Sequence, residues 1–217
     1  MLGNLSALGQ QNWGLFSAGI IIVAIALFYR GFENSKVSSR EIAVIAVLGA
    51  VAALGRVPFA ALPSIQPTTF LVVTSGLVFG SRAGFMVGAT AALVSNFFLG
   101  QGPWTPWQMF AWGLAGFTAG LLKKLFPGTG RRGTLFFLAA WGYGFGWIID
   151  FWFWTAFISP LNLHSFIATC ATTFGLDTMH AAGNVLFYLA FGTGTVKVLR
   201  RVKKKIAVSS LQAETFQ

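Results

Sequence analysis

The sequence predicts an all-α integral membrane protein, and three observations carry that reading. Of 217 residues, 55% are hydrophobic and only 9% charged, where a soluble domain carries about a quarter. The mean hydropathy is +0.71. Glycine (26), phenylalanine (23) and tryptophan (8) are abundant, as suits helices packed closely in lipid with aromatic residues at the interfaces. The lone Cys170 rules out an internal disulfide framework.

Seven apolar runs follow one another, each long enough, or nearly so, for a span of about 20 residues. The first, Trp13 to Phe28, has no Lys or Arg before it and no evident cleavage site, so it reads as a retained helix rather than a signal peptide. The second follows Ser38 and Glu41, whose spacing is that of a capping box, and continues to Leu54. Next come Thr68 to Phe79, short for a span, and Ala83 to Leu99. Trp107 to Leu122 follows, with Thr105 as the expected N-cap and Pro106 in the first turn. Thr134 to Ile158 and Gly175 to Leu199 complete the set.

Charge sets the orientation. With the N-terminus outside, the inner side receives Arg30, Lys36, Arg40, Arg82, Lys123, Lys124, Arg131, Arg132, Lys197, Arg200, Arg201, Lys203, Lys204 and Lys205, and the outer side only Arg56. This is the positive-inside pattern of a cell (plasma) membrane protein with a cytoplasmic C-terminus. The net charge of +10 therefore reports topology. No basic helix interleaved with polar recognition residues is present, so nucleic acid is excluded as a partner.

Polar residues gather at the outer side. The segments Gly55 to Pro67, Gly100 to Pro106 and Ser159 to Phe174 carry Arg56, Gln66, Gln101, Trp104 and His164, and the adjoining helix ends add Asn96, Gln108, Asp177 and His180. Asp177, His180, Asn184 and Tyr188 share one helical face, and Tyr143, Trp147, Asp150 and Trp154 are spaced to share another. Ionisable groups within a span face the bundle interior or a cavity. Each candidate also has a purely structural reading. Asp150 can pair with His180 or Arg56 to lock helices, Trp104 and Trp107 can anchor at the interface, and Asn96 and Gln108 can bond across helices. Their joint placement describes a binding pocket open to the outside.

Catalytic motifs are missing: no HExxH, no GxSxG elbow, no paired Asp-rich motif and no Walker A loop. Asp177 and His180 are too few for a metal site, so neither a metal nor a covalent cofactor is expected. A membrane enzyme using Asp150, Asp177 and His180 is the rival reading. A purely structural assembly subunit is a third. The small-residue motifs Gly76-x-x-x-Gly80, Gly84-x-x-x-Gly88 and Gly116-x-x-x-Gly120 read as internal packing. The row Ala43, Ala46, Ala50 and Ala53 reads either as packing or as a docking face.

From Ser38 to about Lys205 the chain resembles the substrate-binding S component of energy-coupling factor (ECF) vitamin transporters. The resemblance rests on Ala46-x-x-x-Ala50, Gly55-Arg56-Val57-Pro58, Pro63-x-x-Gln66-Pro67, Gly80-x-x-x-Gly84-Phe85, Ser95-Asn96 and, most specifically, Gly102-Pro103-Trp104-Thr105-Pro106-Trp107-Gln108-Met109. It implies a six-helix substrate-binding membrane domain over residues 38–205. An extra N-terminal transmembrane helix and linker (1–37) would precede it, and a cytoplasmic tail (206–217) would follow. It further implies a non-catalytic importer subunit in a prokaryotic cell membrane that captures a vitamin at the outer face. That subunit docks through Ala46 and Ala50 on a shared transmembrane coupling subunit served by two ATPases. The ligand is expected among Arg56, Gln66, Asn96, Trp104, Trp107, Gln108, Asp150, Asp177, His180 and Asn184. The Gly-Pro-Trp-Thr-Pro-Trp string resembles cobalamin-type subunits, which places cobalamin first, with riboflavin, folate, thiamine, pantothenate or a queuosine precursor fitting the same description.

Overall fold

A computed structural model describes the backbone of residues 2–34 and 38–215, and the side chains of residues 13–34 and 38–206. Lys36, counted above among the inner charges, lies outside the described residues, as do the side chains of the tail from residue 207 onward.

Within those bounds the structure is helical. The helices are α1 (Leu2–Glu33), α2 (Ser39–Arg56), α3 (Thr68–Phe79), α4 (Ser81–Leu99), α5 (Thr105–Leu125), α6 (Arg131–Phe157), α7 (Leu163–Phe187) and α8 (Thr193–Thr215). A single 3₁₀ turn, Val57–Phe59, extends α2, and a π-turn, Tyr188–Gly192, joins α7 to α8 without a break. Seven helical rods thus stand where seven spans are expected. Five of them are long and apolar enough to cross a membrane: Trp13–Glu33, Ser39–Phe59, Ser81–Leu99, Arg131–Phe157 and Leu163–Ile206. The short α3 escapes the length requirement by burial, since Thr68, Thr69, Phe70, Val72, Val73, Thr74, Ser75, Gly76 and Val78 are all covered by protein.

Three expectations are corrected. Ser159 to Phe174 is not a loop, because α7 begins at Leu163, where Asn162 and Ser165 form a reciprocal capping box. Helix α5 begins one residue early, with Trp104 as its N-cap and Thr105 already inside. Trp147 does not share an inward face with Asp150, being 55% exposed while Asp150 is 4% exposed. The Ser38 cap is present, its Oγ accepting from the Glu41 N–H at 3.2 Å.

The core is built by α3, α4 and α5. A methyl group on Gly76 or Gly84 would run into the carbonyl of Gly116, and one on Gly116 into the backbone of Gly84. The glycine motifs therefore act as internal contacts, letting backbones approach where side chains would hold them apart. Gly80 and Gly100 end α3 and α4 with φ of 97° and 108°, a region that residues with a Cβ seldom enter. Helix α1 lies against this core through Ile21, Ile25 and Phe28, with Phe28 stacked on Phe85 at 3.9 Å between ring centroids.

Cations from three helices meet at one end of the bundle. A cavity of about 450 Å³ there is lined by Arg131, Lys197, Arg200, Arg201 and Lys204, a smaller neighbouring one by Lys123, Arg131 and Arg200, and Lys203 bonds the carbonyl of Val78. Arg56, at the C-terminal end of α2, stands at the other.

Candidate functional site

Arg56 organises that opposite end. Its Nε donates to Gln66 Oε1 at 2.7 Å, and its Nη1 donates to Ser95 Oγ and Asn96 Oδ1, each at 2.8 Å. The guanidinium also lies 4.8 Å from the centre of the Trp112 ring, a cation–π distance. Residues from α2, the α2–α3 segment, α4 and α5 are thereby gathered around one charge.

Asn96, fully buried at the end of α4, passes the order on. With Oδ1 held by Arg56, its Nδ2 donates to Gln108 Oε1 at 2.8 Å and to Thr105 Oγ1 at 3.0 Å. Thr105 in turn donates to Gln101 at 2.9 Å. A second line begins at Trp112, whose Nε1 donates to Thr69 Oγ1 at 2.9 Å, and Thr69 meets His180 Nε2 at 2.8 Å. The Thr69 hydroxyl thereby links the indole of α5 to the imidazole of α7.

Between these lines lies a cavity of about 200 Å³, lined by Arg56, Ser64, Gln66, Thr68, Gln108, Trp112, Phe145 and His180. Phe145 closes one side, tilted against Trp112 at 4.6 Å and edge-on to His180 at 5.0 Å. Ser64 adopts φ of 58°, a left-handed conformation that a residue with a side chain takes only when its surroundings hold it there.

The structure divides the ten expected binding residues. Arg56, Gln66, Gln108 and His180 line the cavity, and Asn96 holds two of them from behind. The other five lie elsewhere. Asp150 is buried but accepts from Thr173 Oγ1 at 2.8 Å, so it pairs with neither His180 nor Arg56. Asp177 packs onto Gly146, Asn184 donates to the Leu138 carbonyl at 3.1 Å, and all three join α6 to α7. Trp107 is buried in the apolar cluster with Phe85, Ala89, Ile21 and Ile25. Trp104 packs edge-on to Trp152 at 6.1 Å. His164 sits exposed in the first turn of α7.

Four cavity residues escaped the sequence reading: Ser64, Thr68, Trp112 and Phe145. The available signal was Trp112, one turn beyond Gln108 on the same helical face. Asp150 and His180 bond to different neighbours, Thr173 and Thr69. Among the described residues, no three His, Cys, Asp or Glu side chains gather to hold a metal.

Of the expected docking residues, Ala46 is exposed and Ala50 half-exposed, with Ala43 also exposed and Ala53 buried. The buried side of α2 is Ile45, Gly49, Ala52 and Ala53, so its small-residue row looks partly outward.

Together these features describe a helical membrane protein with a polar, aromatic-walled cavity near one end of its bundle. The family model described as "ECF-type riboflavin transporter, S component" matches residues 36–172, well over half of the chain, and the chain belongs to that family. A UPF0397 protein of Vibrio atlanticus (strain LGP32) is 26% identical over 103 residues, covering 45% of this chain and 56% of that relative. The chain thus spans just over half the length of the curated relative it matches. No solved structure matches it.

Proposed function

We propose that this chain is the substrate-capture subunit of an ECF importer, taking a vitamin into the Arg56 cavity from the outer face. It then passes the vitamin inward by docking on a shared transmembrane subunit driven by two ATPases. The observation that carries the reading is the cavity itself. It combines a half-buried, hydrogen-bonded cation, two side-chain amides and two aromatic rings at the end of the bundle opposite the cationic cluster. By the positive-inside rule that cluster supports a cytoplasmic side, with the C-terminus, at its own end and an outward-facing cavity at the other.

Size bears on the ligand. Pockets for drug-sized molecules run to about 300–1,000 Å³, and the cavity of about 200 Å³ suits a compact planar ring system or the inner end of a longer molecule. Riboflavin, the vitamin in the family's description, meets that requirement with its flat ring inward and its polyol chain toward the mouth. A corrinoid is several times larger, so cobalamin moves behind riboflavin as the ligand to test.

The test is calorimetric titration of the purified subunit in lipid nanodiscs with riboflavin and then cobalamin, alongside mass spectrometry of any small molecule released on denaturation. Riboflavin, bound one to one at submicromolar Kd and lost on Arg56→Ala, is the expected result. Tight cobalamin binding with no response to riboflavin would overturn the choice of ligand. The absence of any bound vitamin would overturn capture.

A further inference from the structure

The hydrogen bonds around Arg56 fix the polarity of the cavity as well as its shape. A guanidinium has five N–H donors and no acceptor. Asn96 must therefore turn Oδ1 toward it, which directs Nδ2 at Gln108, and Gln108 must answer with Oε1. A flip of either amide would set donor against donor. The same logic fixes Gln66, whose Oε1 faces Arg56 Nε. Both glutamine oxygens are thus committed inside the protein, while both NH₂ groups have no partner among the described residues. Three of the five Arg56 N–H groups are taken by Gln66, Ser95 and Asn96, which leaves the two on Nη2 for the cavity that Arg56 lines.

We propose that the cavity is a cup of hydrogen-bond donors, built from Arg56 Nη2, Gln66 Nε2 and Gln108 Nε2. It selects ligands that present a planar edge of acceptors, such as adjacent carbonyl and ring-nitrogen atoms or a carboxylate. This rests on the capture reading for its biological meaning but not for its chemistry. Phe145 and the Trp112 edge supply the apolar wall against which the flat ring lies, while Ser64, as a hydroxyl, adapts to either polarity and Thr68 is engaged with the Ala52 carbonyl. Ligands that present donors or a cation to the same groups leave six N–H bonds unanswered in a partly desolvated site and meet a like charge at Arg56. Desolvated donors without partners are strongly disfavoured.

The test uses two probes of matched shape and opposite polarity, benzoate and benzamidine, each titrated against the full chain in nanodiscs by tryptophan fluorescence and by competition with the other. Benzoate binding at least about tenfold tighter is expected, since one unpaired donor alone accounts for that factor. In Gln108→Glu one carboxylate oxygen still accepts from Asn96 while the other replaces an NH₂ in the cup, so the preference for benzoate should shrink or reverse. Equal binding of the two probes, tighter binding of benzamidine, or binding of neither overturns the proposal, and wild-type protein alone suffices to see each of these. The two readings also fail separately. A chain that prefers benzoate yet ignores every vitamin keeps the donor cup and loses capture. A chain that binds riboflavin but favours benzamidine keeps capture and loses the cup.

Discussion

At the scale of single residues, Arg56 sets its neighbours' orientations, and lysine cannot replace it. An ammonium is a compact charge with three donors on a flexible stem, whereas the planar guanidinium reaches Gln66, Ser95 and Asn96 at 2.7–2.8 Å and still faces the cavity. We expect Arg56→Lys to weaken ligand binding by at least about 2 kcal/mol, roughly thirtyfold, because truncating one member of a buried charged network costs about 2–5 kcal/mol. Isothermal titration checks this, and retained affinity would show that the charge alone suffices. Asn96→Asp makes a subtler point. The new carboxylate still accepts from Arg56 but has no donor for Gln108, so Gln108 must flip to offer its own NH₂ and turn an oxygen into the cavity. The expected outcome is a selective loss of acceptor-bearing ligands, with helical content by circular dichroism unchanged.

At the scale of elements, close packing of α3, α4 and α5 depends on the absence of side chains. Gly84→Ala or Gly116→Ala places a methyl against a facing backbone carbonyl, where no rotamer change gives relief. A destabilisation of about 1–3 kcal/mol is expected, read as a lowered midpoint of thermal or detergent-induced unfolding. Gly128→Ala, with nothing within 4 Å, should leave the midpoint where it was. The sequence made these elements legible to different degrees. Period and charge located all seven rods, and the polar face Asp177, His180, Asn184, Tyr188 is indeed the buried side of α7. The start of α7 was missed because its first three turns, rich in Ser, Thr and His, look like a loop until Asn162 is seen as a cap. Inward and outward could not be told apart on α6, since lipid accepts Trp147 as readily as a core does. The cavity's Trp112 and Phe145 were invisible for the same reason: in an apolar run, an aromatic ring carries no mark of what it faces. Arg56, Gln66, Asn96 and Gln108 were legible because polar groups within a membrane domain need partners, and the partners available were one another.

At the scale of the whole molecule, the proposed ligand cavity and the proposed docking face occupy different surfaces, so each function should fail without the other. The cavity draws on the C-terminal end of α2 at Arg56, while Ala43 and Ala46 lie exposed roughly three turns away along the same helix. Ala46→Trp should leave the affinity of the isolated subunit unchanged and abolish vitamin uptake in cells carrying the complete transporter. Unimpaired uptake would remove α2 as the docking face.

Helix α1 poses the remaining question of this scale, because the family match begins at residue 36 and leaves it outside. Its contacts are apolar: Ile21, Ile25 and Phe28 against Phe85 and Trp107, with Ser17 and Thr155 hydroxyls 3.4 Å apart. Among the described residues, none of α1 lines the Arg56 cavity. In a bilayer, lipid tails replace such contacts with little hydrophobic penalty, and what is lost is packing. The Phe28–Phe85 stack contributes about 0.5–1.5 kcal/mol of that. Removing residues 1–37 should therefore lower the unfolding midpoint modestly and leave ligand affinity within about threefold of the full chain, a difference under 1 kcal/mol. Phe85 is the residue through which any stronger effect would pass, since it touches Phe28 on one side and lies against Gly113 of α5 on the other, one residue from Trp112. A collapse of affinity on deletion, reproduced by Phe28→Ala in the full chain, would show that α1 holds the wall of the cavity in place through that ring. Affinity retained in both would assign α1 to stability or assembly and the capture site to the domain that follows it.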